Sequence, residues 1–240
     1  MAALTADSFF NGRLQVLQEK DGYRFSLDAV IVSASVEPKR GDTVLDLGTG
    51  CGIIAMLLAF RHPDVWVTGV EIQPGLVSLA RTNILQNRLE SRVKIVEGDM
   101  REMPLESVGG PVDWVVCNPP FRKPLSGRLN PQAQKALARH EIHIDLAGLM
   151  HTARRCLRNG GHFATIYPAE RAVDLFTGMR DAGIEPKWLQ CVHGRPADRA
   201  KLICVNGKKG ARPGLTVRAP LVVHDPGGDY SSEMQRILQP

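Results

Sequence analysis

The chain has 240 residues, of which 43% are hydrophobic and 23% are charged, and its formal net charge is +5. These proportions are typical of globular proteins and exclude a collagen, a coiled coil and a wholly disordered chain. The length is sufficient for one α/β domain with a substantial core. The longest unbroken apolar run, residues 53–60, is too short to span a membrane, and residues 1–10 do not resemble a signal peptide. We therefore expect a cytoplasmic protein that is not bound to a membrane.

The five cysteines are widely spaced and form no Cys-x-x-Cys pair. This spacing predicts neither a disulfide framework nor a zinc site, and reduced thiols are the simpler interpretation. His140 and His143 lie close together, but no further ligand follows at a suitable spacing, so no metal is expected. The sequence assigns no role to His140 or Glu141.

Taken in chain order, the patterning first predicts a hairpin within residues 13–25, which contain the turn-forming pair Asp21-Gly22. A helix is predicted over residues 26–36, with Ser26 as its cap. Strands rich in β-branched residues then alternate with helices. The further predicted strands are residues 43–47, 66–70, 92–96, 112–117, 162–167, 187–193, 200–206 and 215–223, and the further predicted helices are residues 53–61, 75–87, 141–157 and 170–182. The tryptophans all lie in predicted strands and are expected in the core: Trp66, Trp114 and Trp188.

This alternation predicts an α/β fold with a Rossmann-like, doubly wound, mostly parallel sheet that has helices on both faces. The C-terminal strands are expected to form an antiparallel edge. We expect a single domain over residues 1–240, because no long linker or internal repeat divides the chain. Within it, residues 1–36 would form a hairpin and helix, residues 37–185 the cofactor-binding core, and residues 186–240 the C-terminal strands and a basic edge.

A glycine-rich turn follows the first predicted strand of the core, where Gly48 and Gly50 would allow a ligand to approach the backbone closely. Asp46 precedes this turn, and its negative charge suits a ligand with a cationic amine better than a diphosphate. Glu71 ends the next predicted strand, 23 residues after Gly48, where an acid is placed to accept hydrogen bonds from ribose hydroxyls. Asp99 follows the third strand and could accept an adenine amino group, or could instead cap a helix. The pattern indicates S-adenosylmethionine as the cofactor.

A second motif, Asn118-Pro119-Pro120-Phe121, follows the fourth strand of the core. The two prolines stiffen the backbone and remove two donors. The amide oxygen of Asn118 and the carbonyl of Pro119 therefore remain as adjacent acceptors that suit the two hydrogens of an NH₂ group. Phe121 adds a flat face for a planar substrate.

In the order and spacing of these motifs, the chain resembles the class I S-adenosylmethionine-dependent methyltransferases that carry N-P-P-[YFW] and methylate planar amino nitrogens. The resemblance covers about residues 25–185. It implies that Asn118 and the Pro119 carbonyl bind the target NH₂, that Phe121 stacks on the base, and that Asn118 also borders the cofactor.

A narrower resemblance, to the bacterial valine-tRNA adenine-N6 methyltransferases that modify the adenine just after the anticodon, extends over nearly the whole chain. It is carried by four further stretches, at residues 22–30, 138–141, 192–202 and 220–230. The resemblance implies methylation of an exocyclic adenine N6 amine in RNA, with tRNA as the favoured partner.

Two basic segments are consistent with an RNA partner. Residues 122–139 contain five basic residues and no acid, and residues 187–218 contain eight basic residues and one acid, while the remainder of the chain is acidic overall. Such a distribution is typical of polyanion-binding proteins, although exposed loops also collect lysine and arginine. The first segment would lie at the mouth of the site and the second along one sheet edge. The residues expected to contact RNA are Arg122, Lys123, Arg195, Arg199, Lys208, Lys209 and Arg212.

Alternative functions stay open at this point. Protein glutamine-N5 methyltransferases also carry N-P-P-[YF], but they have a helical domain before the cofactor motif, whereas only 45 residues precede Asp46 here. A guanine-N2 or DNA adenine methyltransferase is a further alternative. A catalytically silent RNA-binding domain is the non-enzyme alternative. The sequence does not indicate the oligomeric state.

Overall fold

The computed structural model describes residues 4–20, 25–119 and 146–239. The strands are β1 (Leu4–Phe9), β2 (Leu14–Glu19), β3 (Thr43–Leu47), β4 (Trp66–Glu71), β5 (Val93–Glu97), β6 (Val112–Cys117), β7 (Leu157–Pro168), β8 (Ile184–His193), β9 (Ala200–Lys209), β10 (Thr216–Val217) and β11 (Leu221–Val222). The α-helices are α1 (Leu27–Ala34), α2 (Ile53–Arg61), α3 (Pro74–Gln86), α4 (Leu146–Cys156), α5 (Ala172–Asp181) and α6 (Ser232–Leu238). None of the helices in these ranges is long and apolar enough to cross a membrane.

The main sheet confirms the predicted fold class. Its strand order is β10-β8-β9-β7-β6-β3-β4-β5, with β11 also paired to β8. Pairing is parallel from β5 through β7, while β9 is antiparallel to both β7 and β8. The antiparallel strand β9 therefore lies two strands in from the end of the strand order, since β8 and then β10 and β11 lie outside it, and β10 and β11 run parallel to β8. We call the edge at which the parallel strands end the carboxyl edge, and the other the amino edge.

Hydrophobic side chains form one core cluster on each face of this sheet. Successive residues of a strand point to opposite faces, so Val44 joins the cluster that contains α2 and α3, while Leu45 joins the cluster that contains α4. Nearly every residue of α2 is buried, which explains its continuous apolar sequence. The sheet is therefore covered on both faces, as the strand and helix alternation predicts.

The predicted N-terminal hairpin exists, but its position was wrong. β1 pairs with β2 around a turn at Phe10, Asn11 and Gly12, whose φ angles are 55°, 57° and 83°. Asparagine and glycine tolerate this left-handed conformation best, so Asn11-Gly12 is the turn signal. The pair Asp21-Gly22 lies outside the described residues.

Several smaller predictions also differ from the structure. Trp66 is 53% exposed because it begins β4 at the amino edge, whereas Trp114 is buried as predicted and Trp188 packs against the core. Ser26 occupies the N-cap position of α1 without a side-chain cap bond. The helix α6 was not predicted from sequence, and its cap is Ser231, whose Oγ accepts a hydrogen bond from the backbone N–H of Met234 at 3.1 Å.

Candidate active site

Strand register brings the two sequence motifs to one place at the carboxyl edge. Leu47, at the end of β3, pairs with Val70 on β4 and with Cys117 on β6. Gly48 follows Leu47, and Asn118 follows Cys117. Adjacent strands lie about 4.8 Å apart, so the glycine-rich turn and the start of the N-P-P-F motif are neighbours.

Glu71 holds the glycine-rich turn against the end of β4. Its carboxylate accepts three backbone hydrogen bonds of 3.0 Å, from Gly50 on one oxygen and from Ile72 and Gln73 on the other. Gly50 has a φ of +58°, which glycine adopts without strain. Glu71 is only 6% exposed, and the three donors fix the orientation of its carboxylate. A carboxylate fixed in this way is preorganised to accept further hydrogen bonds from a ligand's hydroxyl groups.

Asp46 lies beneath the same turn and is fully buried. Its Oδ2 accepts a hydrogen bond from the Thr49 hydroxyl at 2.5 Å, while its Oδ1 has no partner. Burial raises the pKa of Asp46 to about 7, and repulsion from Glu71 adds to the rise, while the Thr49 bond opposes it. The geometry gives Asp46 a role in holding the turn through Thr49, and a direct contact between Asp46 and a cofactor amine stays a prediction.

Gly69 is a residue of this region that the sequence reasoning missed. It pairs with Asp46 across β3 and β4. A Cβ at this position would lie 2.7 Å from Thr49 Oγ1 and 2.8 Å from Ile95 Cδ1. Glycine within a strand often marks such a close approach, which was the available signal. Gly69 leaves the space that Thr49 needs to reach Asp46.

Asp99 lies beyond the end of β5, at the same edge, but its carboxylate is engaged by Arg101. The Arg101 Nε donates to both Asp99 oxygens, at 2.9 and 3.0 Å, and this contact lowers the pKa of Asp99. The backbone N–H groups of Glu102 and Met103 donate to the Asp99 main-chain carbonyl. An adenine contact therefore stays a prediction, and it would have to share the Asp99 carboxylate with Arg101.

Asn83 and Asn87 on α3, which the sequence analysis did not single out, attach the hairpin to this site. Asn83 bonds both the N–H and the carbonyl of Leu17, at 2.8 and 2.9 Å, and Asn87 does the same for Gln15, at 2.9 and 2.6 Å. Asn83 and Asn87 are four helical residues apart, a rise of about 6 Å, and Leu17 and Gln15 are two strand residues apart, about 6.7 Å. The two spacings match, so each asparagine faces one strand residue. Asn83 also donates to the carbonyl of Cys51 in the glycine-rich turn at 2.9 Å.

The residues predicted to bind the substrate amine are described only in part. Asn118 and Pro119 are partly buried at the end of β6. Phe121, Arg122 and Lys123 lie outside the described residues, as do His140 and Glu141. Their proposed contacts with the base and with RNA stay predictions.

The second basic segment is divided between the two edges of the sheet. Arg195 and Arg199 are exposed in the turn between β8 and β9, at the carboxyl edge. Leu202 pairs with Pro168 at the carboxyl edge, and Lys208 pairs with His162 six residues further along β9. At about 3.3 Å per residue, Lys208 lies about 20 Å from the carboxyl edge.

The amino-edge members of the segment are not all free for RNA. The Lys209 ammonium donates to the carbonyls of Arg154 and Leu157 at the end of α4, so Lys209 has a structural role. Arg212 follows β9 at this same edge and is exposed. Lys208, Lys209 and Arg212 therefore lie at the other end of the strands from Asn118 and are not brought together with it, although the strands that carry the segment do lie at one lateral side of the sheet.

The donors and charges of the site fit S-adenosylmethionine. The Glu71 carboxylate and the Asp46 carboxyl group lie under the glycine-rich turn, and the negative charge there would repel a diphosphate. These acidic side chains suit a nucleoside that carries hydroxyl groups and a positive charge. Glu71 would bind the ribose hydroxyls of such a nucleoside. The fold and this turn are those of an S-adenosylmethionine-dependent methyltransferase.

Comparison with known proteins supports this class. Residues 28–174 match the family described as the methyltransferase small domain, and the chain belongs to this family. A Porphyromonas gingivalis protein named tRNA1(Val) (adenine(37)-N6)-methyltransferase is 32% identical over 249 residues, covering 99% of this chain and 95% of that protein. A Shewanella protein of the same name is 27% identical, covering 91% of each chain.

Solved structures show the same fold. A predicted O-methyltransferase from Agrobacterium tumefaciens matches with a TM-score of 0.71 and 23% identity, covering 88% of this chain and 94% of that chain. The resemblance predicted from sequence is therefore confirmed, as are the fold class and the S-adenosylmethionine cofactor.

Proposed function

We propose that this methyltransferase transfers the methyl group of S-adenosylmethionine to the N6 amine of an adenine in tRNA, next to the anticodon. The observation that carries the proposal is the position of Asn118 and Pro119 beside the glycine-rich turn. The names of relatives that align over nearly the whole chain agree with it.

The proposed chemistry requires little of the protein beyond positioning. S-adenosylmethionine supplies a methyl group that its sulfonium already activates. The amide oxygen of Asn118 and the carbonyl of Pro119 would accept the two N6 hydrogens, turn the nitrogen lone pair toward the methyl group and stabilise the developing positive charge. No strong general base is needed, because the methylated ammonium is itself a strong acid.

RNA is the proposed partner. A stacked adenine must leave its stack to reach Asn118, and this costs less in an anticodon loop than in a duplex. Phe121 would provide the flat surface for the extruded base. Arg195 and Arg199 at the carboxyl edge, together with Arg122 and Lys123, would hold the neighbouring phosphates.

We also propose that residues 1–240 act as one domain in the cytoplasm. The strands β8 to β11 extend the same sheet as the cofactor-binding strands, and the hairpin is bonded to α3. These contacts support one unit with an N-terminal part over residues 1–36, a core over 37–185 and a C-terminal part over 186–240.

The test is incubation with methyl-labelled S-adenosylmethionine and total tRNA, total protein or DNA, followed by hydrolysis and chromatography, with tRNA binding measured in parallel. We expect label in N6-methyladenosine from tRNA, and none with the Asn118→Ala variant. Label in glutamine from protein, in methylguanosine, or in DNA adenine would replace the proposal with the corresponding alternative. RNA binding without any transfer would indicate a silent RNA-binding domain.

A further inference from the structure

An aromatic pair lies at the carboxyl edge, several strands away from the cofactor turn along the strand order of the sheet. β11 runs parallel to β8, with Leu221 paired to Val192 and Val222 to His193. The pairing continues beyond the strands, where the N–H of His224 donates to the carbonyl of Gly194 at 3.0 Å. His224 therefore lies directly beside the turn that carries Arg195 and Arg199.

The ring of Tyr230 stacks on the ring of His224. The ring centroids are 5.2 Å apart, and the planes differ by 20°. An antiparallel bridge joins the two residues, and the Ser231 N–H donates to the carbonyl of Val223 at 3.0 Å. The Gln235 side chain donates to the Tyr230 carbonyl at 2.8 Å. The backbone therefore fixes Tyr230, while 40% of the residue is exposed.

Tyr230 differs from other exposed apolar residues in its place in the fold. Within the described ranges, the large exposed hydrophobic residues include two aromatic ones, Trp66 and Tyr230. Trp66 begins β4 and lies at the amino edge. Tyr230 thus combines an exposed ring with the sheet edge at which Asn118 lies.

We propose that Tyr230, supported by His224, is a stacking platform for an unpaired base of the substrate RNA. The inference rests on the proposed RNA substrate and extends it to a second contact. Four strand spacings separate β6 from β11, which is about 19 Å at 4.8 Å each. The stacked base therefore belongs to a nucleotide several positions away from the target adenine.

The Tyr230 ring offers a flat face and no cation, so stacking rather than phosphate contact is the source of its own contribution to affinity. Arg195 and Arg199 in the neighbouring turn and Lys201 at the start of β9 are opposed by Asp198 in the same turn and by two acids of the loop before Tyr230, Asp225 and Asp229. Asp225 Oδ1 accepts a hydrogen bond from the Asp229 N–H, which closes this loop. Because stacking on the ring releases no counterion from a phosphate, the contribution of Tyr230 is independent of salt, unlike the phosphate contacts proposed for Arg195 and Arg199.

The experiment compares Tyr230→Ala, Tyr230→Leu and Tyr230→Phe with the wild type and with Trp66→Ala as the matched control. Binding of unmodified tRNA is measured by fluorescence anisotropy over a salt series, and kcat, KM and the cofactor Kd are measured alongside. Removing a base–aromatic stack is expected to raise the tRNA Kd and KM roughly 5- to 150-fold. Tyr230→Leu retains apolar packing on His224 but offers no flat face, so it behaves as Tyr230→Ala does.

The remaining measurements separate stacking from a structural role. The inference requires an unchanged cofactor Kd, an unchanged kcat at saturating tRNA, and an unchanged salt slope in all Tyr230 variants, with Tyr230→Phe near wild type. It is overturned if Tyr230→Ala and Tyr230→Leu bind tRNA as the wild type does, or if Trp66→Ala loses as much affinity as they do. Absence of RNA methylation by the wild type would instead overturn the proposed function.

Discussion

The side chain of Asn83 joins two segments that are far apart in sequence, since its Nδ2 donates to both the Leu17 carbonyl and the Cys51 carbonyl at 2.9 Å. Asn83 is fully buried. Asn83 therefore links the N-terminal hairpin to the glycine-rich turn through one side chain.

We expect Asn83→Ala to lower the free energy of unfolding by about 2–3 kcal/mol, because it leaves the buried carbonyl of Cys51 and the partly buried backbone groups of Leu17 without this partner. Urea unfolding gives this value. The cofactor Kd should also rise. The matched control is Asn87→Ala, which removes the Gln15 contacts but makes no bond to the turn. Equal cofactor affinity in the two variants would show that the Cys51 contact does not matter for binding.

Glu71→Ala should weaken binding of S-adenosylmethionine by about 1.5–3 kcal/mol, as expected for a lost charge-assisted hydrogen bond. The variant also releases the N–H of Gly50, which Glu71 now holds. Titration calorimetry measures the affinity. Glu97→Ala is the control, because Glu97 pairs with Glu71 across β4 and β5 but is exposed. Unchanged affinity in Glu71→Ala would remove Glu71 from the cofactor site.

Asp46 should make the protein less stable as the pH rises. Its pKa in the folded state is raised to about 7, chiefly by burial, so between about pH 4 and pH 7 the folded chain holds a proton that the unfolded chain has released. The stability that this proton provides is present below pH 4 and is lost as the pH rises through 7, at up to about 1.4 kcal/mol per pH unit.

Urea unfolding of Asp46→Asn between pH 4.5 and 8, with wild type in parallel, measures this effect. The variant keeps an acceptor for Thr49 but cannot ionise, so its stability should fall less steeply with pH. Asp64→Asn, at an exposed acid, is the control and should retain the wild-type slope. A wild-type slope in Asp46→Asn would mean that Asp46 does not titrate in this range.

Much of this site could be predicted because its signals are local. Asp46, Gly48 and Asn118 each stand within a few residues of a strand end, and parallel strands bring their carboxyl ends together. Asn83 could not be found in this way, because its partners Leu17 and Cys51 are distant in sequence and only the packing of α3 brings them to it.

The basic segment illustrates the same limit. Its residues are close in sequence, but β9 runs antiparallel and carries Lys208 away from Arg199. A count of charges along the sequence does not show that the chain reverses direction between β8 and β9. The prediction that Trp66 lies in the core was wrong for a similar reason. Strand propensity does not show that Trp66 is the first residue of β4, where the amino edge leaves it exposed.

Asn118→Ala should slow methyl transfer roughly 10²- to 10³-fold, by analogy with the loss of one preorganised hydrogen-bonding group. The reason is that Asn118 supplies one of the two acceptors proposed for the N6 amine. Single-turnover kinetics with tRNA measure the rate, and calorimetry should show a cofactor affinity close to that of wild type. A decrease smaller than about fivefold would make Asn118 a structural residue only.

The division of the basic segment gives a paired test of RNA contact. Replacing Arg195 and Arg199 together by alanine should reduce the slope of log Kd against log salt by about 1.4–1.8, at 0.7–0.9 for each lost phosphate contact. The identity of the methylated base should not change, because phosphate contacts carry no sequence information. The matched control replaces Lys208 and Arg212, which lie at the amino edge, and omits Lys209 because it bonds to the end of α4. If the control pair changes the slope as much as the first pair does, tRNA contacts both edges, and the predicted restriction of phosphate binding to the carboxyl edge is wrong.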